Sequence, residues 1–263
     1  MSSTREMRGL RHVCPVGAVG RVIAVLTDDL SGSSLYLSTE LPMSHDATLL
    51  MTEFVTHDVQ RLLLMRPEGL DWQPGQGVEV HIDTDEWRDE GRPFTPTSLP
   101  NDQLLEFTTK RYPKGDGMTV ALHALQPGAR LKLSDAFGTI TYQGPGTFIA
   151  AGTGVTPFLG ILRRLAADDA LDGHKLLLTN KGERDVICEK ELKHYLGDDC
   201  LLTFTREHEP GDQGQRIDLD FMKSHLSTFD GMFYVCGPDA FVESINDQLK
   251  ELGVQPGQLV YEQ

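Results

Sequence analysis

Residues 148–157 run from a short apolar strand, Phe148, Ile149, Ala150 and Ala151, through Gly152, Thr153 and Gly154 into Val155, Thr156 and Pro157. No other stretch constrains the chain as much. An apolar strand that enters a glycine turn and then a proline-started helix is the βα unit of an α/β sheet. Glycine at 152 and 154 leaves no Cβ to hold a phosphate away from the backbone, and it allows dihedrals that other residues resist. Pro157 suits the first helical turn, where its missing N–H is not needed, and the helix start offers its positive end to an anion. A tight turn with no ligand fits the same residues, so these ten positions alone leave both readings open.

The rest of the chain divides into two rhythms. From Leu49 to Leu133 the apolar runs are short and interrupted: Leu62 to Met65, then Val78, Val80 and Ile82, then Leu104, Leu105 and Phe107, with Pro74, Gly75 and residues 113–117 as breaks. That spacing predicts an antiparallel barrel or sandwich. After Gly144, Pro145 and Gly146, strands alternate with helices. Phe158, Ile161, Leu162 and Leu165 recur at helical spacing, and residues 175–179, 201–205 and 233–236 read as buried parallel strands. Phe241, Val242, Ile245, Leu249 and Leu252 predict a last helix that stops at Gly253. The first 46 residues, with a weak strand signal at 20–26, give no clear architecture.

Composition narrows the function classes. The chain of 263 residues is long enough for two modest domains, and its formal charge of −15 with no basic stripe argues against nucleic acid as a partner. Cysteines at 14, 188, 200 and 236 show neither metal-ligand nor iron–sulfur spacing, so no metal site is expected and reduced thiols in the cytoplasm are. Pro15 and Arg21 interrupt the most apolar N-terminal stretch, which points to neither a membrane span nor a secretory segment.

Two further segments carry chemistry. Arg92, Pro93, Phe94 and Thr95 sit among the upstream strands, and Tyr234 and Val235 lead into Cys236, Gly237 and Pro238 after a later one. The guanidinium fork of Arg92 suits phosphate oxygens, although a surface ion pair for Arg92 and a core position for Phe94 also fit. Taken in order with the glycine turn, these three segments resemble the ferredoxin-NADP reductase superfamily, in its flavin-only, flavodoxin-reductase-like form. The resemblance covers about residues 47–263. It implies an N-terminal extension of unknown role (1–46), an antiparallel FAD-binding β-barrel (47–144) and a doubly wound, parallel-sheet NAD(P)-binding α/β domain (145–263).

The resemblance also implies site residues. Phe94 takes the position of an aromatic packed near the flavin, and Thr95 replaces a serine whose hydroxyl approaches the ring nitrogen N5. Thr108, Thr109 and Lys110 match the strand lining the ribityl and flavin region. Gly117, Met118 and Thr119 match the turn that receives a pyrophosphate, which favours FAD over FMN, although a plain hairpin turn also fits there. Gly152, Thr153, Gly154, Thr156 and Pro157 match the pyrophosphate turn for NADPH or NADH. Cys236, Gly237 and Pro238 border the nicotinamide, with Cys236 positioning the reacting carbon rather than attacking it, since no histidine–carboxylate set stands beside it. Arg206 and Arg216 match places near the adenosine end and tilt the choice slightly toward NADPH, although solvated arginines also fit, and Asn180, Lys181 and Arg184 suit either nucleotide. Tyr261 is a candidate cover for the flavin ring.

The activity so implied passes hydride from NAD(P)H to FAD, with Thr95 and Cys236 as the catalytic pair, and then electrons to a separate carrier such as flavodoxin or ferredoxin, or to a small molecule. An acidic loop at Asp83, Asp85, Glu86, Asp89 and Glu90, if it lies near the flavin edge, repels an acidic carrier unless Lys110, Arg111 and Lys114 form an opposing patch; a plain solvated loop fits equally well. The alternatives are an electron-transfer subunit of a larger oxidoreductase, against which the missing C-terminal cysteine cluster counts, and a non-catalytic flavin- or nucleotide-responsive module. The oligomeric state is left open.

Overall fold

The strands of the barrel alternate inward and outward along their length, and that period builds the first core. The computed structural model describes residues 43–112, 117–138, 140–206 and 214–261, all in one unit that begins at Pro42. Outside them lie Cys14, the strand signal at 20–26, Lys114, Gly115, Glu207, Glu262 and Gln263. Strands β1 (Met43–Phe54), β2 (Val59–Met65), β3 (Val78–Ile82), β4 (Arg92–Phe94), β5 (Leu104–Lys110) and β6 (Arg130–Ser134) form an antiparallel sheet in the order β4-β3-β6-β1-β2-β5. A bridge between Pro96 and Phe107 brings its two ends together, so the sheet is a nearly closed barrel. The barrel takes in residues 43–46, which the sequence assigns to the extension.

Leu62 and Leu64 point inward with Leu49, Val78, Val80, Leu105, Phe107, Leu131 and Leu133, while Met65 and the paired Leu104 face out. Helix α1 (Met118–Ala124) adds Met118 and Leu122 to this core. That is where the expected turn at 117–119 departs from the sequence reading: Met118 is 1% exposed and belongs to the barrel interior.

The second sheet is parallel. β7 (Gly146–Ala151), β8 (Lys175–Asn180), β9 (Cys200–Phe204), β10 (Met232–Cys236) and β11 (Leu259–Tyr261) stand in the order β11-β10-β7-β8-β9. Adjacent residues along each strand serve opposite cores. Phe148, Ala150, Leu176, Leu178 and Tyr234 pack with α2 (Thr156–Ala167) and α3 (Glu189–Leu196). Ile149, Leu177, Phe233 and Val235 pack with α4 (Leu219–His225) and α5 (Asp239–Glu251). Burial on both faces is why these strands read as unbroken apolar runs, and helices on both faces make the sheet doubly wound.

The chain order reverses between β7 and β10. From β7 the connections run outward through β8 to β9, and on the other side stand β10 and β11. In a sheet of this kind the crevice at the carboxyl ends of the strands flanking the reversal is where ligands sit. Val59 and Ile140, from the barrel side, join the cluster around α2, so the barrel packs beside that crevice.

Candidate functional site

A cleft of about 760 Å³ opens at this switch point, within the range of about 300–1,000 Å³ typical of small-molecule sites. One wall comes from the barrel: Arg92, Pro93, Phe94 and Thr95 on and after β4, Thr108, Thr109 and Lys110 on β5, then Tyr112, and Thr119 on α1. The other wall comes from the parallel sheet. It holds Gly152, Thr153, Gly154, Thr156 and Pro157 after β7, Thr179 and Asn180 at the end of β8, and Cys236, Gly237 and Pro238 after β10. Segments far apart in sequence thus face one another.

Of the cofactor-site residues expected from the sequence, Gly117, Met118, Arg206, Arg216 and Tyr261 do not line the cleft. Gly117 is the exposed N-cap of α1, and Met118 fills the barrel. Arg206 and Arg216 are exposed, and at that end the cleft presents Asn180, Lys181, Asp185 and Thr205 instead. Tyr112, Thr179 and Asp185 were missed. A signal existed only for Tyr112, an aromatic left exposed just beyond a strand, as suits a ring that stacks on a planar partner. Tyr261 packs in the core cluster with Val235 and Ile245 rather than on the cleft.

The glycine turn divides its two tasks between two residues. β7 ends at Ala151, a short 3₁₀ turn covers Gly152–Val155, and α2 follows with Pro157 in its first turn. Gly154 is packed so closely that a Cβ there would overlap the carbonyl of Cys236. Gly152 has φ of +54°, and a Cβ on it would meet nothing within 4 Å. One glycine lets two strand ends meet; the other leaves backbone open to the cleft.

The cleft also holds polar atoms that lack partners. Among the described residues, Asn180 Nδ2 and Thr179 Oγ1 are buried with no hydrogen bond, although both residues line the cleft. An unsatisfied buried group costs about 1–3 kcal/mol, so donors left waiting beside an open, glycine-floored cleft fit a polar ligand such as a dinucleotide.

Charge in the cleft is more heavily paired than the sequence suggests. Arg92 donates to the Gly91 carbonyl at 2.6 Å and lies 3.9 Å from Glu90. Lys110 lies 2.8 Å from Asp58, which removes it from any free basic patch. In the acidic loop, Asp83 pairs with Arg88 at 3.3 Å and Arg130 at 3.8 Å, so part of its charge is already balanced. His57 stands 3.7 Å from both Asp58 and Asp185, a grouping close enough for metal ligation, but Lys110 already supplies a cation to Asp58.

Behind the barrel wall, His123 on α1 donates from Nε2 to the Thr109 carbonyl at 2.9 Å. Burial holds its imidazole below the usual histidine range, against the raising effect of that hydrogen bond, and the charge of Arg111 lowers it further. Neither Cys188, Cys200 nor Cys236 is in a disulfide. Burial pushes the Cys188 and Cys200 thiols up to about 11, with Glu191 adding to the rise at Cys188, so neither is a nucleophile at neutral pH.

Residues 46–142 match the oxidoreductase FAD-binding domain family, and residues 148–247 match the oxidoreductase NAD-binding domain family. The chain belongs to the ferredoxin-NADP reductase superfamily. The two matched stretches are the FAD-binding and NAD-binding domains of that superfamily. It is 27% identical over 218 residues to the ferredoxin–NAD(P)+ reductase component of a Pseudomonas putida naphthalene 1,2-dioxygenase system, a match covering 80% of this chain and 65% of the relative. It is 26% identical over 224 residues to NADH-cytochrome b5 reductase 2 of Mycosarcoma maydis, covering 76% and 63%. The chain therefore spans slightly less than two thirds of these relatives. The flavohem-like FAD/NAD-binding domain of Vibrio cholerae nitric oxide dioxygenase shares the superfamily fold with a TM-score of 0.72 at 22% identity, over 84% of this chain and 98% of that one. Among the described residues no helix is long and apolar enough to cross a membrane.

For this superfamily member two outcomes follow from the site's geometry. Gly154→Ala should lower the urea midpoint far more than Gly152→Ala, because only the former drives a methyl into backbone, whereas the latter carries about 1–2 kcal/mol of left-handed strain. Equal losses would contradict the division of tasks. His123 gives a pH dependence. The unfolded chain takes a proton on this residue near pH 6.5 while the folded chain stays neutral, so its stabilising contribution is present above about pH 6.5 and is lost as pH falls toward the folded value. Urea melts at pH 7.5 and 5.5 should show a smaller pH loss for His123→Gln than for the parent; identical losses would rule out the linkage.

Proposed function

We propose that this chain is an NAD(P)H-dependent FAD reductase that passes electrons to a separate one-electron carrier protein. The observation that carries this reading is the shared cleft: flavin-side segments of the barrel and nucleotide-side segments of the sheet are its opposite walls. Bound FAD supplies the chemistry, taking two electrons as hydride and releasing them singly.

The chain's own residues bind, orient and shield. Arg92 exchanges its contacts with the Gly91 carbonyl and Glu90 for phosphate oxygens. Phe94 and Tyr112 supply apolar ring surface, and Thr95, Thr108 and Thr109 offer hydroxyls beside it. Of the segment at 117–119, Thr119 is the residue whose side chain reaches the ligand, with Gly117 and Met118 acting through backbone. On the facing wall, Gly152, Thr153, Gly154, Thr156 and Pro157 take the nucleotide pyrophosphate. Asn180 and Thr179 line the same wall and offer polar groups to that ligand once their side chains turn toward it. Cys236, Gly237 and Pro238 border the nicotinamide, and holding both reactants in one cleft makes hydride transfer effectively intramolecular. Ferredoxin, the carrier in the name of the Pseudomonas relative, is the favoured partner class. Flavodoxin and small acceptors are the competing outcomes.

Anaerobic titration of the FAD-loaded chain tests this. The yellow absorbance should be bleached by NADH or NADPH and restored by oxidised ferredoxin. Cys236→Ala and Thr95→Val should each slow bleaching about tenfold, roughly 1.4 kcal/mol of barrier, while FAD stays bound. Arg206→Ala and Arg216→Ala should leave kcat/KM for both nucleotides within about twofold, because neither side chain lines the cleft; a loss confined to NADPH would restore them as 2′-phosphate ligands. A colourless protein indifferent to FAD would contradict the proposal and favour a binding module.

A further inference from the structure

A largely buried charge network lies between barrel and sheet. Arg163, on α2, donates through Nη1 to Glu106 Oε1 at 2.6 Å and to the Thr97 carbonyl at 2.7 Å. Its Nε and Nη2 grip Glu191 of α3 at 2.6 and 3.0 Å. Glu106 belongs to β5 and also accepts from Thr97 Oγ1 at 2.7 Å, and that hydroxyl lies 3.3 Å from Thr108 Oγ1 on the cleft wall. Arg61 Nε stands 3.3 Å from Glu106 Oε2, and Tyr195 donates to Glu191 at 3.2 Å. Arg163 and Glu106 are 16% and 13% exposed. Burial works against the charge on Arg163, but Glu191 and Glu106 outweigh it and hold the guanidinium charged, while Arg163 holds the Glu191 carboxyl below its usual range despite burial.

We propose that Arg163 is a positioning residue for the reaction: it sets the distance and angle between the flavin wall on β5 and the helix that follows directly on the glycine cradle. The proposal rests on the reductase reading given above. From Pro157 to Arg163 is about 9 Å along one helix, so a rigid element links the cradle to the network. Apolar contacts from Val59 and Ile140 also hold the barrel to α2, but such contacts are non-directional and tolerate sliding. A guanidinium bonded to carboxylates on two sides and to a carbonyl does not, because its donors lie in a fixed planar fork. Stability is a poor reason for the network, since well-packed apolar residues commonly serve a buried interface as well as an ion pair does. Geometry is the better reason, since a misplacement of about 1 Å can slow a reaction of two held partners about 100-fold.

The test uses the full FAD-loaded chain and two variants. Arg163→Lys keeps the charge and discards the fork. The triple variant Arg163→Met, Glu106→Gln, Glu191→Gln removes the charges together, so no carboxylate is left buried alone. Both should bind FAD as tightly as the parent, within about threefold by fluorescence titration. Both should slow single-turnover bleaching at saturating NADH at least tenfold and weaken the long-wavelength absorbance that stacked reduced flavin and NAD+ share. Unchanged bleaching and absorbance in either folded variant would overturn the proposal, as would a rate loss matched by an equal loss of FAD affinity. A parent protein that NADH and NADPH both fail to bleach would instead overturn the reductase reading. If the triple variant does not fold, Arg163→Lys decides alone.

Discussion

β7 and β10 approach so closely at their carboxyl ends that Gly154 rests against the Cys236 carbonyl, and the functional architecture depends on that approach. With the two strands held together there, the backbone must leave the sheet on both sides of one point, into α2 on one face and α5 on the other. A crevice is the geometric consequence. A methyl group at residue 154 would wedge the strand ends apart, and Cys236 and Gly237 would move away from the turn they now face.

The crevice carries both backbone strain and unsatisfied polar groups. Gly152 is left-handed, and Thr179 and Asn180 bury polar atoms without partners among the described residues. Each such atom carries a penalty of about 1–3 kcal/mol that a ligand can relieve. Binding and folding are therefore linked: a nucleotide that satisfies these groups stabilises the folded chain by mass action. The three apolar clusters, one in the barrel and one on each face of the sheet, supply the rigidity that keeps the crevice in this unsatisfied state.

How much of this was legible in the sequence depended on how local the determining interactions are. The strand, turn and helix of residues 146–167 could be read directly, because glycine and proline fix backbone geometry over a few residues. The barrel was legible through the spacing of its short apolar runs and the turn residues between them. The motif at 117–119 says nothing of where the Met118 side chain goes, and tertiary packing draws it into the barrel. Arg206 and Arg216 match places near the adenosine end in sequence, but a sequence match does not say where a side chain stands, and both are exposed outside the cleft. The network around Arg163 was invisible for a related reason. Its carboxylates lie 57 and 28 residues away, and each of the three charges looks solvated in one dimension.

The central claim is that a flavin and a pyridine nucleotide occupy opposite walls of one cleft. A crystal structure of the chain with both FAD and NAD+ measures it directly. The account predicts FAD density along Arg92, Thr95, Thr108 and Thr109, and nucleotide density along Gly152, Gly154 and Cys236, with the two rings in contact. Ligands on separate surfaces, or FAD density away from Arg92 and Thr95, would contradict it.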